Sequence, residues 1–267
     1  VPTTRELARA GARVVMAVRN EEKAESVARQ IGGTRGRIEI RHLDVSSLAS
    51  VRAFADAWTE PLHVLINNAG IMQVPLAYTE DGLETQMATN YFGPFALTSA
   101  LLPQITDRIV SLSSQLHRIG HVRIDDLNAR NRRYDDLGAY ADSKLAVVLF
   151  AQELQRRLTA AGRPVRSIAA HPGIARTALA SHAGGLTGHI NSLGPLLNDV
   201  EHGALPTLYA ATADVPGGSY VGPDGFASIK GYPKVRLPSR AARDADTARA
   251  LWTETNKIVG RDFAFAL

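Results

Sequence analysis

The 267-residue chain is 45% hydrophobic and 21% charged, with a net charge of +4, an ordinary composition with length enough for an α/β domain and a large core. No apolar run approaches the ~18 residues a membrane span needs, and the scattered Arg and Lys form no basic stripe suited to nucleic acid. Cysteine is absent, which excludes disulfides and thiolate metal ligands and fits a cytoplasmic protein.

Thr3 to Gly11 reads as the end of a helix stopped by glycine. Ala12 to Val18 (ARVVMAV) has the length of a buried strand and runs into Arg19. Asn20 caps a charged helix, EEKAESVARQI, that stops at Gly32-Gly33. Arg37 to Leu43 alternates like a strand, Asp44-Val45 closes it, and Ser46 is read as the cap of SLASVRAFADAW. Val64-Leu65-Ile66 is a short strand entering Asn67-Asn68-Ala69-Gly70. A long helix is expected from about Asp81 to Leu102, interrupted near Gly93-Pro94. Arg108 to Ser113 and Val165 to Ala170 are strands on either side of a helix headed by Tyr140. Ser239 to Gly260 reads as a closing helix in which Trp252 packs.

Strands alternating with helices predict a doubly wound, Rossmann-type parallel sheet with helices on both faces, a single domain over 1–267. Such sheets bind ligands beyond the carboxyl ends of their strands. Arg19, Asp44, Asn67 to Gly70, Ser113-Ser114 and His171-Pro172-Gly173 all fall there. A domain of this kind opens with a strand, a glycine-rich turn and a helix. This sequence begins inside the helix, so roughly 20 to 30 further residues are expected upstream. Without that strand the sheet is expected to have a hole in its middle.

The stretch that carries chemistry is Tyr140-Ala141-Asp142-Ser143-Lys144. Residues four apart share a helix face. An ammonium beside a phenol is expected to lower a pKa that is ordinarily about 10. The pair can then pass a proton to or from an alcohol or ketone.

With INNAGIM at Ile66 to Met72, TNYFGPFALT at Thr89 to Thr98, RIVSLSS at Arg108 to Ser114, AYADSKLAVVLFAQEL at Ala139 to Leu154 and AAHPGIART at Ala169 to Thr177, the chain resembles the short-chain dehydrogenase/reductases. It is most similar to their retinol dehydrogenase and protochlorophyllide reductase-like branch. The resemblance covers nearly the whole chain but lacks the family's glycine motif, so pyrophosphate binding is assigned to no residue. It implies that Tyr140 exchanges the proton, Lys144 lowers its pKa and holds the nicotinamide ribose, and Ser114 rather than Ser113 steadies the substrate oxygen. By the same resemblance Asn90 holds a water that links Lys144 to solvent. Asn68-Ala69-Gly70 lie beside the adenine-side ribose, and Asn67 ties strands together. Pro172-Gly173 wall the nicotinamide pocket, and Thr177 reaches the carboxamide.

NAD-binding domains usually place an acid at the end of the second strand, whereas an arginine there accommodates a 2′-phosphate. Here Arg19 stands at that place with Asn20 beside it, so NADP(H) is expected over NAD(H), read through a forked guanidinium. Asp44 is expected to bond the adenine amino group, with Val45 against the ring. The glycine- and leucine-containing stretch from about 178 to 200 is expected to cover an apolar pocket, and the branch implies a small lipophilic carbonyl or alcohol substrate. His117 and His121 sit in a long insertion and are not expected to bind metal. A homodimer fits the fold. The competing readings are a non-catalytic NADP(H)-binding regulator on the same fold and a sugar-nucleotide epimerase, for which the region after Gly173 is short.

Overall fold

The computed structural model describes residues 1–173 and 199–265. Helix starts follow local side-chain chemistry. Asn20 accepts the Lys23 N–H at 2.7 Å and opens α2 (Glu21–Ile31). Ser47, not Ser46, caps α3 (Leu48–Asp56). Ser46 is engaged elsewhere, giving its N–H (2.9 Å) and hydroxyl (2.6 Å) to the Asp44 carboxylate. An aspartate turn of this kind moves the cap one residue on. The first helix, α1 (Pro2–Arg9), ends before Gly11, whose φ is 100°.

The strands are β1 (Arg13–Val18), β2 (Arg37–His42), β3 (Leu62–Asn67), β4 (Ile105–Leu112), β5 (Arg166–Ala170), β6 (Tyr220–Pro223) and β7 (Pro233–Arg236). β1 and β2 pair in parallel as a two-stranded sheet, and β3-β4-β5-β6-β7 form a second. All pairs in the second are parallel except β6 with β7. The strand order runs outward in opposite directions from β1 and from β3, which makes the space between them the switch point where such folds take ligands. β1 and β3 do not pair with each other. Val14, Val15 and Met16 on one side, and Val64, Leu65 and Ile66 on the other, are only half-buried. The sheet is therefore interrupted at its middle. Helices bridge the interruption: α1 packs on β1 and on α7 (Val200–Thr212), and α3 packs on α5 (Gly93–Leu101).

The long helix expected over 81–102 starts later, with α4 (Thr85–Met87), and passes through a π segment, Ala88–Phe92, before α5. Pro94 has no N–H to offer the carbonyl of Asn90 four residues back. The Gly93 N–H instead reaches Ala88. Pi segments of this kind occur often at functional sites, and this one carries Asn90.

α6 (Asp136–Ala160) crosses the centre, and every residue from Ala139 to Ala151 is buried. A helix covered all round reads as a continuous apolar run, as Leu145 to Ala151 does, whereas Asp142, Ser143 and Lys144 before it are buried polar groups. It packs with α4, the π segment and α8 (Ala245–Val259), and its Phe150 ring meets Phe95 of α5. Trp252 lies in that seam, 5.0 Å from the Phe95 ring and 4.5 Å from Phe263, with the Arg157 guanidinium 4.6 Å over it. The closing helix is shorter than the expected 239–260, because a 3₁₀ turn at Ala241–Arg243 precedes it and Asp244 caps it.

Candidate active site

Asp135 accepts the Gly138 N–H at 3.1 Å and fixes the start of α6, one turn before Tyr140. Tyr140 is 5% and Lys144 4% exposed. The Lys144 ammonium lies 5.7 Å from the Tyr140 ring centre and donates to the Leu112 carbonyl at 3.0 Å. Ser114 follows β4, and its hydroxyl lies on the Tyr140 side, where it opposes the effect of burial on the phenol. Its neighbour Ser113 points the other way, donating to the Lys144 carbonyl at 2.8 Å. Alternation along an extended strand end leaves only one of the two serines facing the phenol.

Asn90 is 2% exposed. Its side chain grips the backbone of Ile71, accepting the N–H at 2.8 Å and donating to the carbonyl at 3.0 Å, with a further bond to Ser143 at 2.9 Å. The side-chain amide is therefore already engaged and clamps the Asn67–Gly70 turn beside α6. Gly70 closes this junction: a Cβ there would lie 3.1 Å from the Lys144 nitrogen and 3.3 Å from the Asn90 amide oxygen. Asn67 donates to Thr98 at 3.0 Å and to Ser111, its partner on β4, at 3.4 Å.

The electrostatics differ from the sequence expectation in one respect. Burial pushes the Tyr140 phenol above its ordinary pKa, with only the neighbouring Ser114 hydroxyl opposing. Burial also lowers Lys144, to about 8. The expected lowering of Tyr140 by Lys144 is not what this structure shows. In a dry site desolvation penalises each charged form, and a lysine driven toward neutrality exerts a weaker field on its neighbour.

Sequence reasoning missed Asp142, between Tyr140 and Lys144. It is buried, accepts the His121 N–H at 2.6 Å, and meets Arg132 at 3.3 Å and Arg123 at 3.4 Å. Gly120 lies so close to the Ala141 carbonyl that a side chain there would overlap it. The long insertion after Ser114 is thus fastened to the first turns of α6, between Tyr140 and Lys144. Its unusual length and Arg content were the signal in the sequence.

At the other end of the sheet, Arg19 follows β1, with a side chain 77% exposed and 3.9 Å from the Asp44 carboxylate. Burial raises the Asp44 pKa, but the bonds from Ser46 outweigh it, helped by Arg19 and His42, and the net shift is downward. The Val45 carbonyl abuts Gly93, where any side chain would overlap it. Asn68 and Ala69 are exposed beyond β3. Beyond β5, Pro172 leads into Gly173, whose φ is 75°. Thr177 and the expected cover over 178–198 lie outside the described residues.

A family model described as short chain dehydrogenase matches residues 2–184. The chain belongs to the short-chain dehydrogenase family. Over 97% of its length this short-chain dehydrogenase is 41% identical to Retinol dehydrogenase 13 of Homo sapiens, spanning 80% of that protein. It is 40% identical to Polyprenol dehydrogenase of Mus musculus over 97% of the chain and 79% of that protein. A Mycobacterium Paratuberculosis protein of known crystal structure is 48% identical, with a TM-score of 0.85 over 98% of this chain and 89% of its own. A short-chain type dehydrogenase/reductase from Mycobacterium ulcerans, 19% identical with a TM-score of 0.64 over 87% of this chain and 86% of its own, shares the fold.

The chain thus lies in the retinol dehydrogenase-like branch and is an oxidoreductase acting on CH–OH and C=O groups. Members of the family use NAD or NADP. The residues fit such a cofactor at both ends of the switch point. Gly70 keeps the approach to Lys144 open, since a Cβ there would crowd the ammonium. Arg19 and Asp44 stand together at the carboxyl ends of adjacent strands. The pyrophosphate is assigned to no described residue. Among the described residues no helix is long and apolar enough to cross a membrane, and no cluster of His, Asp and Glu suits a metal ion.

Proposed function

We propose that this short-chain dehydrogenase is NADP(H)-dependent and passes a hydride between the nicotinamide and a lipophilic carbonyl or alcohol, with Ser114, Tyr140, Lys144 and Asn90 as its acid–base site. The observation that carries this is the buried pair Tyr140 and Lys144 on one face of α6, the ammonium 5.7 Å from the phenol ring centre, with the half-buried Ser114 hydroxyl acting on the phenol. The nicotinamide, when bound, supplies or takes up the hydride.

In reduction, Tyr140 gives its phenolic proton to the substrate oxygen while Ser114 donates a hydrogen bond to the same oxygen as charge builds there. A phenol held protonated by burial suits that donor role. Lys144 restores the proton balance from beneath and would hold the nicotinamide ribose. Asn90 acts by holding the turn over Lys144. Its carbonyl, which Pro94 cannot bond, supports a role in the water link to solvent. Pro172 and Gly173 would wall the nicotinamide, with Thr177 at the carboxamide. Asn68, Ala69 and Gly70 would line the adenine-side ribose, with Asp44 and Val45 at the base.

NADP(H) over NAD(H) rests on Arg19, an exposed guanidinium where NAD-binding domains place an acid. The activities for which the relatives are named, retinol and polyprenol dehydrogenase, support a lipophilic substrate. A cytoplasmic homodimer is proposed on composition and fold. The test is consumption of NADPH and NADH with a panel of apolar aldehydes and ketones against small polar ones. The reading expects turnover with apolar carbonyls and a specificity constant favouring NADPH. Tight NADPH binding with no turnover would replace it with a regulator.

A further inference from the structure

Three buried side chains, His117, Tyr220 and His171, are used by none of the steps above. His117 has no exposed surface and sits in the 3₁₀ turn Gln115–Ile119 that begins directly after Ser114. Its Nδ1 lies 2.8 Å from the Ser114 carbonyl oxygen. Its Nε2 lies 3.2 Å from the backbone N–H of Ser239. An N–H can only donate, so Nε2 carries the lone pair and the proton sits on Nδ1. His117 therefore donates to the carbonyl of Ser114. The burial that lowers the His117 pKa keeps the ring in this neutral form, and the neighbouring Arg118 adds to the effect.

Tyr220, on β6 and 1% exposed, joins this ring to a second histidine. Its hydroxyl is 3.2 Å from His117 Nδ1, and the two rings meet edge to face at 5.1 Å. On its other side it stacks on His171 at 5.2 Å and 13°. His171 has no exposed surface, and its Nδ1 accepts the N–H of Gly173 at 3.2 Å. Its Nε2 is buried without a hydrogen-bond partner among the described residues. Gly222 makes room for the ring, since a side chain there would overlap it. Burial holds His171 neutral, with a pKa near 3, in the company of His117, Arg118 and Arg236.

The stack thus runs from the turn after β4 to the turn after β5 by way of β6. At each end an imidazole spends a polar atom on the backbone of a turn at the carboxyl end of a strand. A core that needed only volume would be filled by apolar side chains, because an unpartnered buried imidazole nitrogen is unfavourable by about 1–3 kcal/mol.

We propose that His117 and Tyr220 are positioning residues for Ser114, setting the separation of the serine turn from the Pro172-Gly173 turn and so the reach from substrate oxygen to nicotinamide. This rests on the reading of Ser114 as the catalytic serine. Two substitutions divide the two bonds of His117. In His117→Asn the amide nitrogen takes the place of Nδ1, keeping the bond to Ser114 and losing that to Ser239. In His117→Gln the amide oxygen reaches the place of Nε2, keeping Ser239 and leaving the Ser114 carbonyl without its donor.

Steady-state reduction of an apolar aldehyde by NADPH, with thermal melting in parallel, reads the difference. The expected result is a kcat lowered about 10- to 100-fold in His117→Gln, within about threefold of wild type in His117→Asn, and a KM for NADPH within about twofold in both. Equal kcat in the two variants, or a change in melting alone, overturns the proposal and leaves ordinary packing. Tyr220→Leu provides a second reading that spares His117. It is expected to lower kcat about tenfold with melting still cooperative, and an unchanged kcat there also overturns the proposal. A wild-type protein that turns over no carbonyl substrate overturns the functional reading and this role with it, whereas an active wild type with equal Asn and Gln variants overturns this role alone.

Discussion

The two sides of the switch point are built differently. At the end proposed for the chemistry Tyr140, Lys144, Ser143 and His117 are all buried, and the polar atoms of the lysine, serine and histidine are spent on backbone or on one another. At the end proposed for the nucleotide Arg19, Asn20, Asn68 and Ala69 are exposed, and β1 is half-buried where β4 and β5 are covered. Proton transfer depends on dipoles held in place in a dry site, where each is worth more than in water. Recognition of a nucleotide rim works with side chains that stay hydrated until the ligand arrives. The difference separates residues that must be pre-set from residues that need only be present.

The comparison can be broken at the seam where the two ends touch. At Gly93 a side chain would overlap the Val45 carbonyl, so Gly93→Ala forces α5 away from the loop after β2. The expected loss is about 3 kcal/mol in denaturant unfolding, with weaker cofactor binding. An unchanged midpoint would mean that the seam yields freely.

The chemistry end should also show its burial in pH. Lys144 has a folded pKa of about 8 against an ordinary 10.5, so the unfolded chain holds more protons between those values. This group's contribution to stability therefore rises with pH from 8 to 10.5. If the charged form is needed, the reduction rate falls over the same range, about tenfold per pH unit above 8. A rate flat to pH 10 would remove the ammonium from the mechanism.

Effects at the nucleotide end should be smaller and confined to binding. Arg19→Ala is expected to reduce NADPH-over-NADH discrimination about tenfold with little change for NADH. Unaltered discrimination would take Arg19 out of the account. Asn20→Ala sharpens the same point. Its amide is committed to the Lys23 N–H, so the expected effect is about 1 kcal/mol of stability with KM for NADPH within twofold. A large rise in KM would instead show that Asn20 touches the cofactor.

Much of this was legible in the sequence because it is local. The cap at Asn20, the apolar run of α6 and the i, i+4 spacing of Tyr140 and Lys144 are read from neighbours along the chain. What was not legible needed distance or length. β6 and β7 have four residues each, with Pro223 and Pro233 at their ends, too short and interrupted to show a period. Ser46 and Ser47 are equal as caps until Asp44 claims the first. The buried seat of Asp142 and the His117–Tyr220 pair, 103 residues apart, exist only once the sheet is assembled. The pKa of Tyr140 was misjudged for the same reason: spacing shows that a lysine is near, and only the packing shows how little water reaches either group.

The most direct measurement compares wild type with Tyr140→Phe in NADPH-dependent reduction of an apolar aldehyde, alongside melting and NADPH affinity. The change removes the one proton the mechanism delivers and leaves the ring in place. The account predicts a kcat lower by about 10²- to 10⁴-fold, with affinity and melting near wild type. A Tyr140→Phe enzyme as fast as wild type would contradict it.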